Sequence, residues 1–397
     1  MNADLADAAQ RYDAANRITL EWVLSRPPVQ GVFIDTRVNP VTGEDYTAAD
    51  GLRGPDWICG WIQGRGLEAL VTFAAHYQSS DPGLAARLDA LAGPLYARLC
   101  TLQARHGHGY FLYDQALTPV RRDGRGGAVP QTLEADLFSY SDIFMAKGLI
   151  AAAARYAPAD LPRHLDFFHS IRAAIADGRF QMGEQGEISR AAIAGEPDDH
   201  GPRMILLGAA GMLRRAGLTN EAGWADALIA EVLEHWVDET GLLRNVPGLD
   251  ALNAGHGIEF VGFAFDHLGA AGEPALKRRL AAILIQLFDH AFREPGVPLS
   301  VSASTGELLE PWFPWWPLPE TIRAAALARA AGAPQAEDLH RIQALADAAF
   351  FRNYWRGSLG FAFQGRTPDG PVDYVPATPD LDPGYHTGLS LLAAQTA

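Results

Sequence analysis

The stretch NAGHGIEFVGF, Asn253 to Phe263, reads as a loop that becomes an apolar helix. His256 stands between two glycines, and Glu259 follows it by one helical turn. Beyond that point Ile258, Phe260, Val261 and Phe263 leave no clear polar face. A helix apolar nearly all round belongs in an interior. The turn AAGEP then leads into PALKRRLAAILIQLFDHAFRE, whose polar residues gather on one face, as expected of a helix that covers a core. Together they predict a hairpin of one buried and one covering helix.

The same alternation runs along the chain. Helical spacing of apolar residues predicts about twelve helices, starting near Leu5, Trp61, Pro82, Ser139, Pro158, Gly201, Glu221, Gly257, Pro274, Pro317, Gln335 and His386. The even-numbered ones are rich in Gly, Ala and aromatics, and those between them carry a polar face. Six such hairpins, arranged as an inner and an outer ring, make an all-α (α/α)6 barrel. Stretches such as GYFLYDQ and TGLLRNVPG add strand and turn signals, read as short β-hairpin loops at the active-site end. No low-complexity linker or composition break interrupts the 397 residues, so a single domain over 1–397 is expected.

Composition excludes several classes. The net charge of −15 and the lack of any basic run argue against a nucleic-acid partner. No apolar run reaches the roughly 18 residues that a membrane span needs. Two cysteines, Cys59 and Cys100, make no disulfide framework, and the N-terminal residues show no secretory pattern. A soluble, cytoplasmic protein is expected.

Unusual residues gather where the even-numbered helices begin: WIQGR at Trp61, SYSDIF at Ser139, HGPRM at His200, GHGIE at Gly255, WFPWWPLPE at Trp312 and YHTG at Tyr385. Parallel inner helices would bring these starts to one end, around one pocket. Trp57, Trp61, Trp312, Trp315, Trp316 and Tyr385 would supply flat apolar walls with a few convergent polar groups, which suits a small molecule and a sugar ring in particular. Glu259, one turn after His256, is expected to orient that imidazole and raise its pKa. Asp142 is a candidate for packing at the mouth or for binding substrate. His106 and His108 have no third ligand nearby and read as a loop, and no metal is expected.

WIQGR, NAGHGIEFVGF, WWPLPE and YHTG resemble, in order, the four signature stretches of the N-acyl-D-glucosamine 2-epimerase family. NAGHGIE is similar to that family's Asn-Pro-Gly-His-x-x-Glu, with Ala254 in place of the proline. The resemblance implies an (α/α)6 isomerase that takes a small reducing sugar without a cofactor; some members are activated by a nucleotide, and dimers occur. Its chemistry removes the proton at C2 of the open-chain sugar, forms an enediolate and returns a proton on the other face. Two groups able to exchange protons near neutral pH are needed, and histidine suits the task. By the resemblance His256 and His386 are that pair, and Arg65 stabilises the oxyanion with a permanent charge. Glu320 would hold a sugar hydroxyl or another site residue, and Trp61, Gln63, Trp312, Trp316 and Tyr385 would hold the sugar.

One departure bears on substrate. The cellobiose-epimerase and isomerase branches carry a histidine where this chain has Ile205, and a glutamate where it has Gly208. GPRMILLGAAGML is closer to the N-acylglucosamine branch, and its apolar wall suits an N-acetyl methyl group. Arg203 and His200 have no counterpart in that pattern; both are candidates to bind something that branch does not usually hold, and Arg203 is a candidate ligand for the sugar. The main expectation is therefore a 2-epimerase of an N-acylamino sugar. The alternative is an aldose–ketose isomerase of mannose and fructose type, or a cellobiose or mannose 2-epimerase, because return of the proton to C1 instead of C2 yields a ketose. A glycoside hydrolase with a carboxylate pair drawn from Asp35, Glu134, Asp142, Glu259 and Glu320 ranks third, since it leaves the histidines unexplained.

Overall fold

The computed structural model describes residue 5 and residues 7–125, 127–374, 378 and 380–397. Its helices are α1 Ala8–Ser25, α2 Gly60–Tyr77, α3 Pro82–His106, α4 Tyr140–Tyr156, α5 Leu161–Ala176, α6 Arg190–Ala194 and α7 Gly201–Arg215. They continue with α8 Ala225–His235, α9 Ala254–Leu268, α10 Pro274–Ala291, α11 Pro317–Ala330, α12 Ala336–Asn353 and α13 Ser390–Thr396. The fold class is all-α, as the periodicity predicted. Expected helix starts fall within a few residues of those found; the five-residue α6 is an addition. No helix among the described residues is long and apolar enough to cross a membrane.

The alternation of buried and covering helices is present. In α9 the residues from Gly257 to Phe265 are all buried, whereas in α10 charged and apolar residues alternate in exposure. Local chemistry sets the starts. Asp81 accepts from the Leu84 amide at 3.1 Å ahead of Pro82, and Asn253 caps α9. Four buried helices are entered from a two-residue strand: Ile58–Cys59 before α2, Phe138–Ser139 before α4, Ala251–Leu252 before α9 and Phe313–Pro314 before α11. These strands pair with neighbouring loops, so each helix start is pinned by backbone hydrogen bonds.

The chain forms two compact units. One takes Glu21–Pro197 with Ala377–Tyr385; in it α2 packs on α4, backed by α3 and α5. The crossing of α2 and α4 depends on glycine. A Cβ on Gly64 would come within 2.6 Å of the Phe144 carbonyl, and one on Gly148 within 2.5 Å of the Gly64 carbonyl. This is why WIQGR has a glycine in mid-helix. The other unit takes Met1–Leu20, Asp198–Pro376 and His386–Ala397. There α7, α9, α11 and α13 pack in succession, with α8, α10 and α12 on their flanks. Both cysteines are free, and Cys59 is buried.

Candidate active site

The glycines of GHG are there for what lies beside them. A Cβ on Gly255 would meet the Trp316 ring at 2.5 Å, and one on Gly257 would meet Leu287 at 2.6 Å. The first turn of α9 is thus cut away so that Trp316 can lie against it. The Trp316 ring in turn sits 5.5 Å from the His256 ring at 30° and 5.8 Å from the His386 ring at 37°. One buried tryptophan therefore backs both histidines that the sequence singled out.

His386 lies in Tyr385–Leu389, a turn of π-helix that leads into α13. Such turns recur at functional sites. Glu320 Oε1 on α11 lies 3.0 Å from His386 Nδ1, and Glu259 Oε1 on α9 lies 3.8 Å from the same nitrogen. Both carboxylates are almost fully buried. Arg323, one turn after Glu320, pairs with its other oxygen and rests 4.2 Å over the Phe263 ring. Trp315 donates its indole N–H to Thr387 Oγ1 at 3.1 Å and meets the His386 ring edge-on. A carboxylate facing Nδ1 places the proton there and leaves Nε2 as the nitrogen that exchanges protons. The expected partner of Glu259 was His256. The structure corrects this: Glu259 is on the His386 side.

His256 is held differently. Asn245 Oδ1 accepts from the Asn253 amide at 2.7 Å, which fixes the orientation of the Asn245 side chain. Its Nδ2 then points at His256 Nδ1 over a long 3.4 Å. Nδ1 is thereby the acceptor, and the neutral ring carries its proton on Nε2. Burial, and then the charge of His386, lower the His256 pKa to about 4 instead of raising it. A depressed histidine binds fewer protons in the folded state than in the unfolded one between pH 6.5 and about 4. Its contribution to stability is therefore present above pH 6.5 and is lost as the pH falls through that window. His256→Gln should flatten the fall in urea midpoint between pH 6.5 and 4; an unchanged slope would remove His256 from the acid sensitivity.

The remaining predicted residues divide. In the unit that contains α2, Arg65 lies over three rings, at 4.9 Å from Trp61, 4.0 Å from Phe144 and 5.4 Å from Tyr385. Tyr385 bonds through its hydroxyl to the buried Lys147 ammonium, and Lys147 pairs with buried Glu68 at 3.2 Å. Burial pushes the Tyr385 phenol up to about 12, although Lys147 opposes the rise. Trp61 donates its indole N–H to Glu184 at 2.6 Å, so its polar edge is already engaged. Glu184 also accepts from the Ser141 amide and hydroxyl, yet burial raises its pKa to about 7.

Four expected ligands are better explained as structure. Gln63 accepts from the Ile34 amide at 2.8 Å and donates to the Ile34 carbonyl at 3.0 Å, so its side chain ties a loop to α2. Asp142 completes a capping box with Ser139 at the start of α4 and also accepts from the Gly109 amide and His108. Arg203 pairs with Glu231 at 2.7 Å on α8 and lies 4.5 Å over Trp236, on the outer side of α7. Trp312 packs its ring against Tyr374 at 4.9 Å, in the loop ahead of α11. Sequence reasoning missed Asn245, Arg323, Lys147 and Glu68. Lys147 had a signal: a lone ammonium in the apolar stretch IFMAKGLIAAAA must find a buried partner.

Glu259, Glu320 and His386 could each offer one ligand atom to a metal ion, all within 4.8 Å of one another. Arg323 already pairs with Glu320, and both carboxylates face His386 Nδ1. Chemically the arrangement holds one imidazole whose Nδ1 faces two carboxylates and a second imidazole backed by the same tryptophan. It can move protons.

No family model matches the chain, and no curated protein matches it. Solved structures do. A D-mannose isomerase superposes with a TM-score of 0.74 at 13% identity over 100% of both chains. A cellobiose 2-epimerase from Bacillus thermoamylovorans B4167 gives 0.69 at 13% identity, covering 98% of each chain. The GH76A alpha-1,6-mannanase from Salegentibacter sp. HEL1_6 gives 0.52 at 11% identity over 98% and 99%. At such identities these likenesses show the fold: the chain shares the (α/α)6 order of helices with these enzymes.

Proposed function

We propose that this chain is a sugar isomerase of the N-acyl-D-glucosamine 2-epimerase type, acting at C2 of an open-chain reducing sugar. The observation that carries the reading is the pair of imidazoles on Trp316 with complementary nitrogens. His386, with Nδ1 turned to Glu320, offers a bare Nε2 and acts as the base. His256, with Nδ1 accepting from Asn245 at rest, turns Nε2–H to the other face; it acts as the acid from its protonated form, which the negative charge of the enediolate favours, and returns to the neutral ring on giving up that proton. In the reverse direction the roles exchange. The reading needs no metal and no cofactor.

An N-acylamino sugar is the preferred substrate class. Ile205 is buried, and a side chain at Gly208 would strike the Phe263 ring at 2.7 Å, so α7 presents an apolar wall there. The second reading, mannose–fructose isomerisation or epimerisation of cellobiose or mannose, is favoured by the solved structures that share the fold.

The test is proton NMR in D2O with N-acetylglucosamine, N-acetylmannosamine, mannose, glucose and cellobiose, with and without EDTA. Deuterium should enter at C2 of at least one sugar, at a rate that chelation leaves unchanged. Epimer formation from an N-acetylamino sugar selects the first reading; ketose formation, or epimer formation from mannose, glucose or cellobiose, selects the second. Hydrolysis of cellobiose without exchange would replace both with a glycosidase.

A further inference from the structure

His200 opens the stretch HGPRM, and no step of the proposed reaction uses it. It caps the start of α7, and its side chain is fully buried. Its backbone is placed by two bonds: its amide donates to the Asn245 carbonyl at 3.1 Å, and its carbonyl accepts from the Met204 amide at 2.9 Å. The imidazole is another matter. Among the described residues neither Nδ1 nor Nε2 has a hydrogen-bond partner on another residue. Buried polar atoms are nearly always satisfied, so a ring with both nitrogens unpaired requires an explanation.

Position supplies one. The His200 ring packs 6.2 Å from the Phe260 ring at 65°. Phe260 follows His256 by four residues on α9, so the two share one face of that helix. The residue that holds the His200 backbone, Asn245, is the residue whose side chain meets His256. His200 and His256 therefore depend on one asparagine and lie along one helix face. Burial first, and then the neighbouring His256, keep the His200 ring neutral, with a pKa of about 3. A neutral imidazole presents one donor and one acceptor. That pair matches a hydroxyl group, which accepts with its oxygen and donates its proton.

We propose that His200 is a specificity-determining residue that binds a hydroxyl of the sugar on the His256 side of the site. This rests on the sugar-isomerase reading above, and the test separates the two. Wild type and His200→Phe are compared for C2 exchange on mannose and N-acetylmannosamine, with His200→Asn as the polar variant. In parallel, the histidine ring 15N signals of wild type are followed as mannitol is added, a polyol with no carbonyl to turn over.

Exchange by wild type, with a loss of about tenfold or more in kcat/KM for His200→Phe that falls mainly on KM and is partly restored in His200→Asn, supports the proposal. Wild-type exchange that His200→Phe leaves within about twofold, a change too small for a lost substrate hydrogen bond, overturns it while the isomerase reading stands. If wild type shows no exchange, a mannitol-dependent shift of the His200 nitrogens upholds the hydroxyl site without the reaction. Absence of both refutes the two together. The wild-type titration decides the matter even where a variant does not fold.

Discussion

His386→Gln is expected to slow deuterium entry at C2 by about a thousandfold, with the helical fold retained. The size follows from the role: a positioned base in proton transfer contributes between about a hundredfold and ten-thousandfold. Glutamine keeps the volume and the contacts with Trp315 and Trp316 while removing the basic nitrogen. Glu320→Gln and Glu259→Gln should each cost about ten- to a hundredfold, because each removes a charge-assisted contact with His386 Nδ1 and not a reacting group. The decisive comparison combines them. On the His386→Gln background neither glutamine substitution should cost anything further, since residues acting through one group are non-additive. On a His256→Gln background each should still reduce what exchange remains. Full additivity of Glu259→Gln with His386→Gln would return Glu259 to the His256 side, where its spacing in the sequence had put it.

That contrast shows how far a sequence can be read. Period and composition located the helices, because burial on every face or on one face leaves a local trace in α9 and α10. The two histidines were legible because each sits in a short motif at a helix start. The partner of Glu259 was not. A three-residue spacing says that two side chains of one helix lie near each other, but Glu259 points to a residue brought in by the turn that leads into the last helix of the chain. Likewise Gln63 and Asp142 stand in motif positions, yet their polar atoms are taken by backbone amides of loops at Ile34 and Gly109, and no periodicity predicts loop placement. Asn245 sits in the turn RNVPG, where asparagine is ordinary. Only the folded chain shows that it fixes the orientation of one histidine and the backbone of another.

The pair formed by Glu68 and Lys147 carries the largest expected effect on stability. The two are 1–3% exposed and 3.2 Å apart on α2 and α4, beside the crossing at Gly64 and Gly148. Burial alone would lower the Lys147 pKa, but Glu68 and Tyr385 more than offset it, and the pKa lies above its usual 10.5. The contribution of a lysine so raised is fully present below pH 10.5 and is lost only as the pH climbs through the folded value. Glu68→Gln removes the carboxylate and leaves a buried ammonium, at a cost of about 3–5 kcal/mol at pH 7, read as a fall in the urea midpoint. The sign of the pH dependence should then reverse. With its partner gone, Lys147 is depressed below its unfolded pKa, and the variant should become more stable as the pH rises toward 10. Glu68→Leu combined with Lys147→Met should recover most of the loss, because two apolar side chains of similar volume replace a buried pair at little net cost. A Glu68→Gln protein as stable as wild type at pH 7 would mean that water reaches Lys147, and the buried pair would not be what fixes α2 against α4.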